Sequence, residues 1–174
     1  MRLHILLLAG LLLTTASAYG DGEGDNNPAK VRQVPRVGVE ISEEDRKRLN
    51  TGLEELAGLV EQLKNSKSDL AVTLLPDIEI YHRAVKDNLE HREFFSGKDI
   101  VKAFTALASG KKRAQELLSG RAPWLSQTGL VVRGYRSELD GSAQPYGLVI
   151  PTNYQGDGEK AVRLDIWFHG RGET

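Results

Sequence analysis

The residues whose types and spacing bear on chemistry are His169-Gly170-Arg171-Gly172, with Glu173 behind them. They follow Arg163–Phe168, where Leu164, Ile166 and Phe168 alternate with Asp165 and Trp167 in the two-residue period of a β-strand. A strand that runs into glycines presents backbone N–H groups at the edge of a sheet. Glycine lets that backbone approach a substrate with no Cβ in the way, and N–H groups aimed at an oxygen that gains negative charge stabilise it during acyl transfer. The bland alternative is an ordinary glycine-rich turn after a strand, because motifs of four residues recur by chance.

The remaining polar constellations are weaker. His82 and His91 are nine positions apart and do not share a helix face. Glu79 and His82 are spaced i, i+3 and would meet on one face, but a metal site needs three or four convergent ligands, so a surface pair is the simpler reading. Lys111-Lys112-Arg113 reads as a solvated helix face and not a nucleic-acid site, since no aromatic platform accompanies it. Trp124 and Trp167 read as packing residues. The chain has no cysteine, which removes disulfides, thiolate metal sites and a cysteine nucleophile together. Its formal net charge of −1 gives no electrostatic case for nucleic acid or an acidic membrane. No cofactor is called for.

The 174 residues suffice for one ordinary domain or two small ones. Arg2 and His4 precede an apolar run from Ile5 to Leu13, and Ala16-Ser17-Ala18 supplies a small-x-small cleavage site. Residues 1–18 therefore read as a secretory signal peptide cleaved after Ala18, which makes the protein exported, periplasmic or extracellular. The apolar run is too short to span a bilayer with ease, and no membrane span is expected in the mature chain. Residues 19–39 are rich in Gly, Asn, Asp and Pro, without apolar periodicity, and read as a disordered linker.

A helical domain is predicted over residues 40–122. Ser42, followed by Glu43, Glu44 and Asp45, is an N-cap with acids in the first turn. Leu49, Leu53, Leu56, Val60 and Leu63 then recur at spacings of 4, 3, 4 and 3. Gly52 and Gly58 weaken that helix slightly. Pro76 suits the first turn of a second helix with Ile78, Tyr81, Val85 and Leu89 on its apolar face. Ser96 and Asp99 resemble a capping box for a third helix bearing Ile100, Phe104, Leu107, Ala114, Leu117 and Leu118, with Gly110 as an interruption and Gly120 as C-cap.

After Arg121-Ala122-Pro123-Trp124 the pattern changes to strands. Leu130–Ser137 and Tyr146–Pro151 flank a turn at Asp140-Gly141 and predict a hairpin, with Arg163–Phe168 as a third strand. The expected fold class is α+β: a three-helix domain, then the first strands of a sheet over residues 123–174.

From Leu130 on, the order of these elements resembles the opening of the α/β-hydrolase fold, in particular secreted esterases and prolyl-oligopeptidase-like serine hydrolases. Tyr146–Pro151, Tyr154 and Trp167-Phe168-His169-Gly170-Arg171-Gly172-Glu173 stand where those proteins have a strand, a polar loop and a strand ending in His-Gly. The helical region resembles the N-terminal extension of a bacterial subgroup of the same hydrolases. The resemblance implies an ester or peptide substrate and a Ser nucleophile on a G-x-S-x-G elbow, followed by an acid and a His. It makes Gly170 and Arg171 the backbone oxyanion donors, with Gly172 giving room and His169 belonging to the same loop and not to the triad. The chain departs from the family in one respect: it contains no G-x-S-x-G, and Ser126, Ser137 and Ser142 lack the flanking glycines. Nucleophile, acid and base are absent, so these 174 residues by themselves are expected to be inactive. Two readings follow. One is the N-terminal fragment of an exported serine hydrolase, its sheet cut short with an open apolar edge that favours aggregation. The alternative is a complete non-catalytic exported protein whose helical domain binds a partner or surface.

Overall fold

Ser42 starts the first helix as the sequence predicts. Its Oγ accepts a hydrogen bond from Asp45 N at 3.0 Å, and α1 runs Glu43–Lys64 with Leu49, Leu53, Leu56, Val60 and Leu63 all buried along one face. The computed structural model describes residues 36–154 and 163–168. A short helix that the periodicity does not announce, α2 (Asp69–Leu74), follows, with Ser68 Oγ accepting from Ala71 N. Six residues are too few for a helical period to stand out. Pro76 opens α3 (Pro76–Glu90), and α4 spans Gly97–Leu118.

Gly110 does not interrupt α4. It is buried there, and a Cβ on it would lie 2.8 Å from Leu56 Cδ2 and 2.9 Å from Tyr81 Cβ. The missing side chain sets how closely α1 and α3 approach. At the start of α4, Ser96 Oγ donates to Asp99 Oδ2 at 2.9 Å but caps no backbone N–H, so only part of the expected box forms. The far end closes as the sequence predicts. Gly120 adopts φ +75°, and Gly120 N and Arg121 N donate to Leu117 O and Glu116 O, the bonding of a Schellman cap.

A turn of 3₁₀ helix (Pro123–Leu125) leads to β1 (Gly129–Arg136) and β2 (Ala143–Ile150). The strands pair antiparallel, with Val131 opposite Leu148 and Arg133 opposite Tyr146. Gly141, at φ +70°, makes the predicted turn. Among the described residues the architecture is therefore mixed helix with a two-stranded antiparallel sheet, helices first.

Three expectations need correction. The first is a boundary at residue 122. Trp124 and Val131, 2% exposed each, share one core with Leu56, Ile78, Leu107 and Ala114, so the hairpin is part of the helical body. The physical reason is α3, which touches α1 and α4 as well as both strands; splitting the body would strip apolar cover from it. The second is the linker. Most of residues 19–39 lies outside the described residues, as does the signal peptide, but Gly38 N and Val39 N donate to Arg92 O and Phe94 O at 2.8 and 2.7 Å. The last residues of that segment are tied to the turn after α3.

The third concerns Arg163–Phe168, which joins no ladder among the described residues. Alternation prepares a segment for a sheet, but a strand also needs a neighbour's backbone. Trp167 is 86% exposed and packs as no core residue does, whereas Trp124 is buried as expected.

Candidate functional site

The described residues stop one position short of His169, Gly170, Arg171 and Gly172, so the expected oxyanion loop lies outside them. Within them, polar side chains converge at two places.

The first is the joint between helices and hairpin. Asp77 stands in the first turn of α3 and is 1% exposed. Its Oδ2 accepts from Trp124 Nε1 and from Arg133 Nε, each at 2.8 Å. Its Oδ1 accepts from Gly134 N at 2.5 Å. Gly134 is required at this point because a Cβ would strike the Pro76 carbonyl. Beside it, the Arg113 guanidinium lies over Tyr81 and Trp124, 5.3 and 5.0 Å from their ring centroids, and Nη1 donates to Val132 O at 2.8 Å. Burial pushes the Tyr81 phenol up, Arg113 pulls it back and Asp77 raises it further. Each Asp77 oxygen is engaged by donors that also hold the fold, which makes this carboxylate a structural joint between helices and hairpin.

Arg113 thus departs from the solvated face expected of Lys111-Lys112-Arg113. Lys112 is exposed and Lys111 pairs with Glu55 at 2.6 Å, but Arg113 is half-buried. Sequence reasoning misses the joint because its members, Asp77, Arg113, Trp124, Arg133 and Gly134, come from four separate segments. The break in apolar alternation at Arg133-Gly134 is the one local signal.

The second convergence is a cleft of about 300 Å³ between α1, α3 and the loop end of the hairpin, lined by Lys64, Glu79, His82, Arg83, Arg136 and Ala143 among others. Its charges are matched to one another. Arg136 Nη2 donates to Glu79 Oε2, and Lys64 stands 4.0 Å from the same carboxylate and 2.8 Å from Glu61. Arg83 Nε donates to Asp87 at 3.2 Å and Nη1 to Ala143 O at 2.9 Å. Burial is the main cause that lowers the His82 pKa, with Lys86 and Lys64 adding to it and Glu79 and Asp87 opposing. The Glu79–His82 pair gains no further ligand: no cluster of three or more His, Cys, Asp or Glu that could hold a metal occurs among the described residues. His91, the C-cap of α3, is exposed. No described helix is long and apolar enough to cross a membrane.

No protein-family profile, curated protein or solved structure matches this chain.

Proposed function

We propose that this chain is the N-terminal portion of an exported serine hydrolase that cleaves ester or peptide bonds, with nucleophile, acid and base supplied by further sequence. The observation that supports it is the state of the segment leading into the glycine loop. Leu164, Ile166 and Phe168 are 75%, 68% and 90% exposed, with nothing among the described residues to cover them. An apolar, strand-patterned segment placed directly before His169-Gly170-Arg171-Gly172 suits a sheet that needs more chain to bury it.

In this reading a serine alkoxide attacks the substrate carbonyl, and the Gly170 and Arg171 N–H groups hold the tetrahedral oxyanion. Collapse expels the alcohol or amine and leaves an acyl-enzyme, which water then hydrolyses. No cofactor enters. The helical body with its Asp77 joint is the rigid base from which the sheet starts.

The test is fluorophosphonate labelling of the exported protein fraction, followed by capture and tryptic digestion. The expected result is recovery of the peptide Ala122–Arg133 together with a labelled serine peptide from the same, longer polypeptide. The purified 174-residue chain should take no label. Labelling of the short chain, or failure to recover Ala122–Arg133 with any labelled serine, refutes the proposal; the second outcome leaves an exported binding protein. In an active longer polypeptide, Gly170→Pro removes a backbone donor and should lower kcat by about 10²–10³.

A further inference from the structure

We infer that the groove between α1 and α4 is a docking site for an acidic segment of a partner protein, one in which an apolar side chain sits between carboxylates. The inference stands apart from the hydrolase reading. It uses no residue of the Asp77 joint or of the cleft beside His82.

The groove follows from how the two helices meet. A Cβ on Gly52 would lie 2.8 Å from Leu107 Cδ1, so the bare backbone of α1 lets Leu107 of α4 come close. Beside that contact the helix surfaces leave an open groove of about 350 Å³. Its apolar lining includes Phe104, which is half-buried, and Ala108, which is exposed. Its charged lining is Lys47, Arg48 and Lys111, with Glu55 as the one carboxylate among the lining residues. The cleft beside His82 has no such surplus, because its arginines are bonded to Glu79, Asp87 and backbone carbonyls.

The three cations are open to a partner. Lys47 is exposed and has no ion-pair partner among the described residues. The Arg48 guanidinium lies over the Phe104 ring, 4.5 Å from its centroid, and its Nη1 donates to Asp45 at 3.3 Å. A guanidinium stacked on a ring keeps the rest of its N–H edge in the plane of the stack, where a carboxylate pairs with it side by side. Lys111 pairs with Glu55 at 2.6 Å, the two side chains being 33% and 54% exposed. Exposed pairs contribute little, so an incoming carboxylate replaces Asp45 or Glu55 at small cost.

These features select a peptide over other anions. Phe104 is the one aromatic side chain in the lining and already carries Arg48, which leaves no ring free for a nucleic-acid base. An anionic bilayer is flat, and it would meet Glu43 and Glu44, exposed in the first turn of α1 just before the groove. A peptide is narrow enough to enter, to set an apolar side chain on Phe104 and Ala108, and to place its carboxylates against Lys47, Arg48 and Lys111.

The test is fluorescence anisotropy with a set of labelled, capped peptides in which one Leu, Val or Phe stands between runs of Asp and Glu, added to the purified 174-residue chain. At least one should bind saturably at one per chain, and more weakly as salt is added. Replacing its acids by Asn and Gln should abolish binding. Arg48→Gln should weaken it about tenfold. Ala108→Trp, which fills the groove and leaves every charge in place, should weaken it by at least as much. Lys67→Gln removes an exposed cation outside the groove and should leave it unchanged. Circular dichroism checks that each variant keeps its helices. Absence of saturable binding overturns the inference. So does equal weakening by Arg48→Gln and Lys67→Gln, or binding indifferent to Ala108→Trp, since either marks unspecific charge attraction. Retention on anionic vesicles or on a single-stranded oligonucleotide, with no peptide bound, also overturns it.

Discussion

Replacing Asp77 with Ala tests whether the hairpin and the helices form one body. The substitution removes the acceptor for three donors at once: the buried Trp124 indole, the Gly134 amide and Arg133, whose side chain is only 19% exposed. Removing one member of a buried charge pair costs about 3–5 kcal/mol, and a buried donor left without an acceptor costs about 1–3 kcal/mol. These contributions share one carboxylate and do not add, so the expected loss is about 3–5 kcal/mol. Against a typical domain stability of about 5–15 kcal/mol, that brings the fold close to its limit. Urea unfolding followed by helical circular dichroism measures it, provided the m-value is unchanged. In the Trp124→Phe background the loss should shrink, because one of the three donors is already gone; the double-mutant cycle isolates that bond. A loss below about 1 kcal/mol, or the same loss with and without Trp124, would refute the reasoning, as would selective melting of the hairpin with the helices intact.

Glycines at two helix positions should respond in opposite directions. Gly58 is exposed, with nothing within 4 Å of the position a Cβ would take, so Gly58→Ala should stabilise by about 0.5–1 kcal/mol. Gly110→Ala forces a methyl against Leu56 and Tyr81 and should destabilise by about 1–3 kcal/mol in the same urea assay. The Asp140 carboxyl is held down to about 2 by the Ser142 hydroxyl, then the Ser142 amide and Ser137. Its folded pKa is below the ordinary 3.8, so the turn gains from it above that pH and loses the contribution as pH falls towards about 2. The Ser142 amide resonance should titrate over that window, and Asp140→Ala should abolish the titration. His82 is likewise lowered, from 6.5, because burial and Lys86 favour its neutral form. The fold therefore loses stability as pH falls below 6.5 through the folded value, and His82→Gln should flatten that slope in urea midpoints measured across the range.

The helices were legible in the chain because their causes are local. Leu49, Leu53, Leu56, Val60 and Leu63 recur within one element, and Ser42, Pro76 and Gly120 mark ends through groups a few residues away. The hairpin was legible for the same reason, since Asp140-Gly141 and the flanking alternation need only each other. The glycine loop at 169–172 lies outside the described residues, so its reading as an oxyanion motif rests on residue types and order alone.

Tertiary structure decided what depends on distant partners. Asp77 in sequence is one acid in the first turn of a helix; its role comes from Gly134, 57 positions away, and Trp124, 47 away. Arg113 looks like part of a solvated run until Tyr81 and Trp124 are brought beneath it. Gly110 looks like a flaw in a helix until Leu56 and Tyr81 occupy the space a side chain would need. The alternation of Arg163–Phe168 specifies two faces, but hydrogen-bonded pairing requires another strand's free edge, and no local pattern can supply one.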